Sequence, residues 1–136
     1  MVSSLEDLEA QLLRLDRKYE RLDESTLLVR LAPDQPPLAM RLSPPLVVLQ
    51  VEIGPPPADE RQQLPLFRRL LEMNGSELVH ASYALADGAI VLGAALELIS
   101  LDANELEAVL SDFDLALAEQ VGELHQQSHA QSPASE

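Results

Sequence analysis

The sequence predicts a single α+β domain in which one antiparallel sheet is packed by helices, in the order α-β-β-β-α-β-β-α. Three observations predict it. Apolar residues recur at helical spacing in three separate blocks. Between those blocks lie five runs with two-residue alternation, bounded by Pro, Gly and Asp. The chain has 136 residues, enough for one domain with one core.

The first helix opens at Ser4, with Asp7 placed three residues later as an approximate capping box. Leu5, Leu8, Leu12, Leu15, Tyr19 and Leu22 then follow at alternating steps of three and four, a narrow seam along one helix face. Three strands are expected next. Thr26 to Leu31 places Leu27, Val29 and Leu31 on one face. Leu38, Met40 and Leu42 form the inward face of the second strand, and Pro44-Pro45 ends it. Leu46 to Ile53 places Val47, Leu49, Val51 and Ile53 inward, with Val48, Gln50 and Glu52 on a wetter face.

After Gly54-Pro55-Pro56-Pro57, a second helix is expected from about Ala58 to Asn74. Pro65 either kinks it or marks the true start of its main part. Leu66, Phe67, Leu70, Leu71 and Met73 give it a broad apolar face, and Asn74-Gly75 reads as a left-handed stop. A hairpin follows. Val79, Ala81, Tyr83 and Leu85 alternate, Asp87-Gly88 makes the tight turn, and Ile90, Leu92, Ala94, Leu96 and Leu98 line one face of the return strand. Gly93, on the other face, suggests a bulge or a close approach of another backbone.

The last helix has the strongest start signal in the chain. Asp102 is the N-cap, Glu105 the N3 acid, and Leu101 with Leu106 a hydrophobic staple. Leu106, Val109, Leu110, Phe113, Leu117, Val121 and Leu124 form its buried stripe. The domain is therefore placed at 1–124. Residues 125–136, from His125 on, have no apolar period and are expected to be a disordered tail.

Composition limits function. The chain carries a formal charge of −14, and the charge is unevenly placed. All nine basic residues precede position 70, where eleven acids face them; the rest of the chain holds twelve acids and no Lys or Arg. Such a surface repels phosphates and anionic lipid headgroups, so nucleic acid is not an expected partner. No apolar run suits membrane insertion, and the acidic N-terminus lacks a signal-peptide core, so a cytoplasmic protein is expected. Cysteine is absent, which removes disulfides, thiol nucleophiles and thiolate metal sites.

No catalytic motif stands out, and neither catalytic, cofactor nor metal residues are assigned. Asp112-Phe113-Asp114 looks like a metal-binding acid pair, but positions two apart on a helix do not share a face. His125 and His129 have the spacing of a helical ligand pair yet lie in the expected tail. His80 is a lone strand histidine. An unrecognised enzymatic site would draw on His80, Tyr83 or the carboxylates. The helix-1 seam (Leu8, Leu12, Leu15) either packs on the sheet or grips a partner. The second helix presents Leu66, Phe67, Leu70 and Met73 for core, dimer or partner contact, with Arg68 and Arg69 beside them.

The element order in a small acidic chain resembles the class I type III secretion chaperones and the related YbjN family. The resemblance spans residues 4–124 and is best in LFRRLLEMNGSELVHASYALADGAIVLGAALELISLDANELEAVL, whose helix, hairpin and D-x-x-E-L helix look like those of the superfamily. It implies a non-enzymatic homodimer that holds a partner polypeptide, often in extended form, without cofactors. The alternative is an assembly or structural subunit of a larger complex.

Overall fold

A computed structural model describes residues 2–76 and 78–118. It contains α1 (Leu5–Arg14), β1 (Tyr19–Arg21), β2 (Thr26–Val29), β3 (Leu38–Ser43), β4 (Leu46–Gly54), α2 (Glu60–Ser76), β5 (Ser82–Ala86), β6 (Ala89–Glu97), a 3₁₀ turn (Leu98–Ser100) and α3 (Ala103–Ala116). The six strands form one antiparallel sheet in the order β1-β2-β3-β4-β6-β5. The buried residues of all three helices join one cluster with one face of that sheet, so the α+β domain stands as the sequence predicted.

The order differs from expectation by one strand. The 3-4 seam does not continue as helix through Tyr19 and Leu22. The helix stops because Asp16 takes a left-handed φ of 59°. The Asp16 N–H donates to the Leu13 carbonyl at 3.1 Å, and the Arg17 N–H donates to the Leu12 carbonyl at 2.9 Å. That is a Schellman stop built on Asp instead of Gly. Tyr19–Arg21 then pairs with Leu27–Val29 as an edge strand. At the other end of α1 the capping box is complete: the Asp7 N–H donates to Ser4 Oγ at 3.2 Å, and the Ser4 N–H donates back to Asp7 Oδ2 at 3.2 Å.

Hairpin geometry pins the register of the sheet. A two-residue turn with a cis Pro44–Pro45 bond joins β3 to β4, so Ser43 pairs with Leu46. Asp87 and Gly88 both adopt positive φ, 52° and 79°, which fits the right-handed twist of a two-residue hairpin between β5 and β6. Gly93 sits opposite Gln50, and a Cβ there would lie 3.3 Å from the Leu49 carbonyl oxygen, the close backbone approach anticipated from its position.

Three further boundaries moved. α2 is one helix that begins at Glu60 and contains Pro65. Asp59 holds its first turn: its carboxylate accepts the Arg61 N–H at 2.9 Å. Asn74-Gly75 is not a left-handed stop, because the helix continues to Ser76 and neither residue has positive φ. β5 starts at Ser82 instead of Val79, since the backbone N–H groups of His80 and Ala81 are taken by Asp112. The cap of α3 is as predicted, with the Glu105 N–H donating to Asp102 Oδ1 at 2.7 Å and Leu101 and Leu106 both buried. Val121, Leu124 and the expected tail lie outside the described residues.

Candidate interaction surface

The helices sit on one face of the sheet, and α2 lies against the edge strand β5. A reciprocal pair of hydrogen bonds fixes that contact. Asn74 Nδ2 donates to the Tyr83 carbonyl at 3.0 Å, and the Tyr83 N–H donates to Asn74 Oδ1 at 2.7 Å. In an antiparallel hairpin with a two-residue turn, alternate residues turn their backbone groups away from the partner strand. Tyr83 is one of these, so the Asn74 amide stands in for a missing neighbouring strand.

Beside this clasp is an apolar depression of about 250 Å³ lined by Phe67, Leu70, Leu71, Tyr83, Ala84 and Leu85. Leu64 and Leu71 are 73% and 70% exposed, and Leu85 is 56% exposed. With half-buried Phe67, which packs against the core, the helix residues recur at steps of three and four, so they form one stripe along the flank of the core face of α2. Large aliphatics this exposed and this clustered mark an interaction surface more than scattered surface leucines do.

The contact residues expected from sequence divide into two sets. Leu8, Leu12 and Met73 are fully buried, and Leu66 and Leu70 nearly so, all within the chain's own core. Leu15 is half-buried against that core. Phe67 and Leu70 border the exposed depression. Arg68 is exposed and approaches Glu72 at 3.8 Å, an i,i+4 pair worth little in water; Arg69 is half-buried. Leu64, Leu71, Leu85 and Asn74 were not in that set, although Leu71 was placed on the apolar face of α2. Leu64 was visible as part of the stripe, three residues before Phe67. Leu85 and Asn74 depend on which strand forms the sheet edge, and no local pattern states that.

Asp112 and Asp114, weighed as a metal pair, have structural partners, while His125 and His129 lie outside the described residues. Asp112 Oδ2 accepts the N–H groups of His80 and Ala81 at 3.0 and 3.1 Å. Asp114 Oδ2 pairs with Arg17 Nη2 at 2.8 Å. The two acids flank fully buried Phe113 and point to different neighbours. Among the described residues no cluster of three or more His, Cys, Asp or Glu is arranged to hold a metal, and no helix is long and apolar enough to cross a membrane.

A family model, CesT_Tir_1, matches residues 1–130. The chain belongs to this family of type III secretion chaperones. A search of curated proteins finds no match. Among solved structures, a chain of the heterodimeric ExoU–SpcU complex from the Pseudomonas aeruginosa type III secretion system is similar, with TM-score 0.67 and 24% identity over 85% of this chain and 95% of that one. YbjN from E. coli matches with TM-score 0.65 and 16% identity over 93% and 95%. The Yersinia pestis type III secretion chaperone SycH, solved with a fragment of YscM2, matches with TM-score 0.58 and 16% identity over 82% and 94%. At these identities the likeness is one of fold; the family match over residues 1–130 is what places the chain among the secretion chaperones that the sequence resembles.

Proposed function

We propose that this chain is a non-enzymatic, cytoplasmic, chaperone-like protein that acts as a homodimer and holds a partner polypeptide. The observation that carries the reading is the exposed α2–β5 stripe in a member of a secretion-chaperone family. The solved relatives support partner binding, since ExoU–SpcU and SycH–YscM2 are complexes of two proteins. In this proposal the dimer forms through Leu64, Phe67, Leu71 and Leu85, with Arg68 and Arg69 at the side. Leu66, Leu70 and Met73 support the stripe from beneath. Two symmetric copies bury one self-complementary patch, the usual geometry of a twofold interface. The formal charge of −14 keeps the complex soluble and disfavours nucleic acid and anionic membranes.

Size-exclusion with light scattering tests the dimer. The wild-type chain is expected to run as a dimer at micromolar concentration, and Leu71→Glu with Leu85→Glu as a folded monomer. A monomeric wild type overturns the dimer. Affinity purification of the tagged chain from its native cells, followed by mass spectrometry, tests the partner; recovery of no specific protein overturns the chaperone reading.

A further inference from the structure

With α1, α2 and α3 on one face, no helix among the described residues covers the opposite face of the sheet. Two adjoining depressions cross its β1–β4 part. One, of about 230 Å³, is lined by Lys18, Tyr19, Glu20, Leu28, Arg30 and Pro37. The other, of about 340 Å³, is lined by Thr26, Pro37, Ala39, Arg41, Val48, Gln50 and Glu52. Pro37 borders both, so they form one groove.

Register places the charges within it. Thr26 pairs with Arg41 and Leu28 with Ala39, and the Arg30 N–H extends the ladder by donating to the Lys18 carbonyl at 2.8 Å. Two-residue alternation puts Thr26, Leu28 and Arg30 on the same face as Ala39 and Arg41. Arg30 and Arg41 therefore stand at opposite ends of the β2–β3 pair. They are separated by four residues along the strands, about 13 Å at roughly 3.3 Å per residue. Lys18 lies beside Arg30 across one strand spacing. Among the described residues the side chains of these three cations have no ion-pair or hydrogen-bond partner, whereas Arg17, Arg21 and Arg68 each approach a carboxylate. The floor between them is mostly apolar, with one hydroxyl: Thr26, Leu28, Ala39 and Val48. Glu20 and Glu52 are the acids on the rim, and the cations outnumber them.

We infer that this groove docks an extended, acidic segment of the held polypeptide, with carboxylates four residues apart on one side of the segment. A strand-like chain repeats at the same rise as β2 and β3, so carboxylates at i and i+4 meet Arg30 and Arg41 together. The residue at i+2 is then a small apolar or hydroxyl side chain over Leu28 and Ala39. The chain's overall negative charge opposes such a ligand at long range. At about 0.15 M salt the screening length is about 8 Å, so the distant acids of α3 fade while the groove cations still act. The inference rests on the proposed polypeptide-holding role and adds the chemistry of the segment held.

The test is a titration of the full isotope-labelled chain, at about 0.15 M salt, with a blocked heptapeptide Ser-Glu-Thr-Val-Thr-Glu-Ser, followed by NMR. A second peptide of equal composition with its two Glu adjacent is the control. Amide shifts at Leu28, Arg30, Ala39 and Arg41 are expected, with several-fold weaker binding of the control. Arg30→Gln with Arg41→Gln is expected to weaken the first peptide about tenfold, the size of two exposed ion pairs. Both arginines are exposed, and a wild-type melting curve for the double variant checks its fold. Equal binding of the two peptides, shifts centred on α2–β5, unchanged affinity in the double variant, or no shifts at millimolar peptide each overturn the groove. The double variant keeps the oligomeric mass of the wild type, so failure of the groove is separable from failure of the proposed dimer.

Discussion

Replacing Asn74 by Ala removes both hydrogen bonds that bind α2 to the β5 edge, at 3.0 and 2.7 Å. Each is worth about 1 kcal/mol net, and Tyr83, only 5% exposed, leaves its backbone groups poorly hydrated once they are freed. The loss is about 2–3 kcal/mol, offset by roughly 0.6 kcal/mol because Ala is the better helix former. A net destabilisation of about 2 kcal/mol follows. Asn74→Asp separates the two bonds: its carboxylate still accepts from the Tyr83 N–H but repels the Tyr83 carbonyl, so an intermediate or larger loss is expected. The opened edge also becomes a template for pairing with other chains. Urea unfolding reads the first effect, and light scattering across a concentration series reads the second. If both variants unfold at the wild-type midpoint, the amide is not acting as a substitute strand and the reasoning fails.

Gly75 lies in helical backbone, and a Cβ added there would meet no atom within 4 Å, so Gly75→Ala is expected to stabilise the chain by about 0.5–1 kcal/mol. A residue acting as a left-handed stop would instead lose stability, and the same urea assay tells them apart. Gly93→Ala is expected to destabilise by on the order of 1 kcal/mol, because its Cβ would press on the Leu49 carbonyl oxygen at 3.3 Å, inside the sheet; wild-type thermal stability would count against that contact. Hydrogen bonds from the Ser3 backbone, then the Ser4 hydroxyl, hold the Asp7 carboxyl below its ordinary value of 3.8. A depressed folded-state value means that this stabilisation is present above 3.8 and is lost as pH falls through the lower folded value. Asp7→Asn should therefore flatten the acid limb of the stability curve, and an unchanged limb would refute the link.

Legibility of the sequence followed the range of the interactions. The caps at Ser4 and Asp102, the Asp87-Gly88 turn and the alternation of β4 and β6 are set by neighbours in the chain, and all were readable. The stop at Asp16 was hidden because Asp replaced the usual Gly while Leu15, Tyr19 and Leu22 continued the helical spacing. At Asn74-Gly75 the same kind of signal pointed the other way: the Asn side chain is occupied by a strand nine residues on, so it does not end the helix. The candidate surface was half legible. Its helix stripe is periodic, but the exposure of Leu85 depends on β5 being the outermost strand, a property of the whole sheet order.

Asp112 and Asp114 show how a motif resembling chemistry becomes architecture. Two positions apart on α3, they diverge by about 200° around the helix axis, so they cannot converge on one ion while Phe113 is buried between them. One carboxylate reaches the loop before β5, and the other reaches Arg17 in the turn before β1. Those strands are the two edges of the sheet. A single helix therefore ties down both edges from one side of the core. The acid-rich second half of the sequence thus serves the fold at these two points as well as at the Asp102 cap of α3.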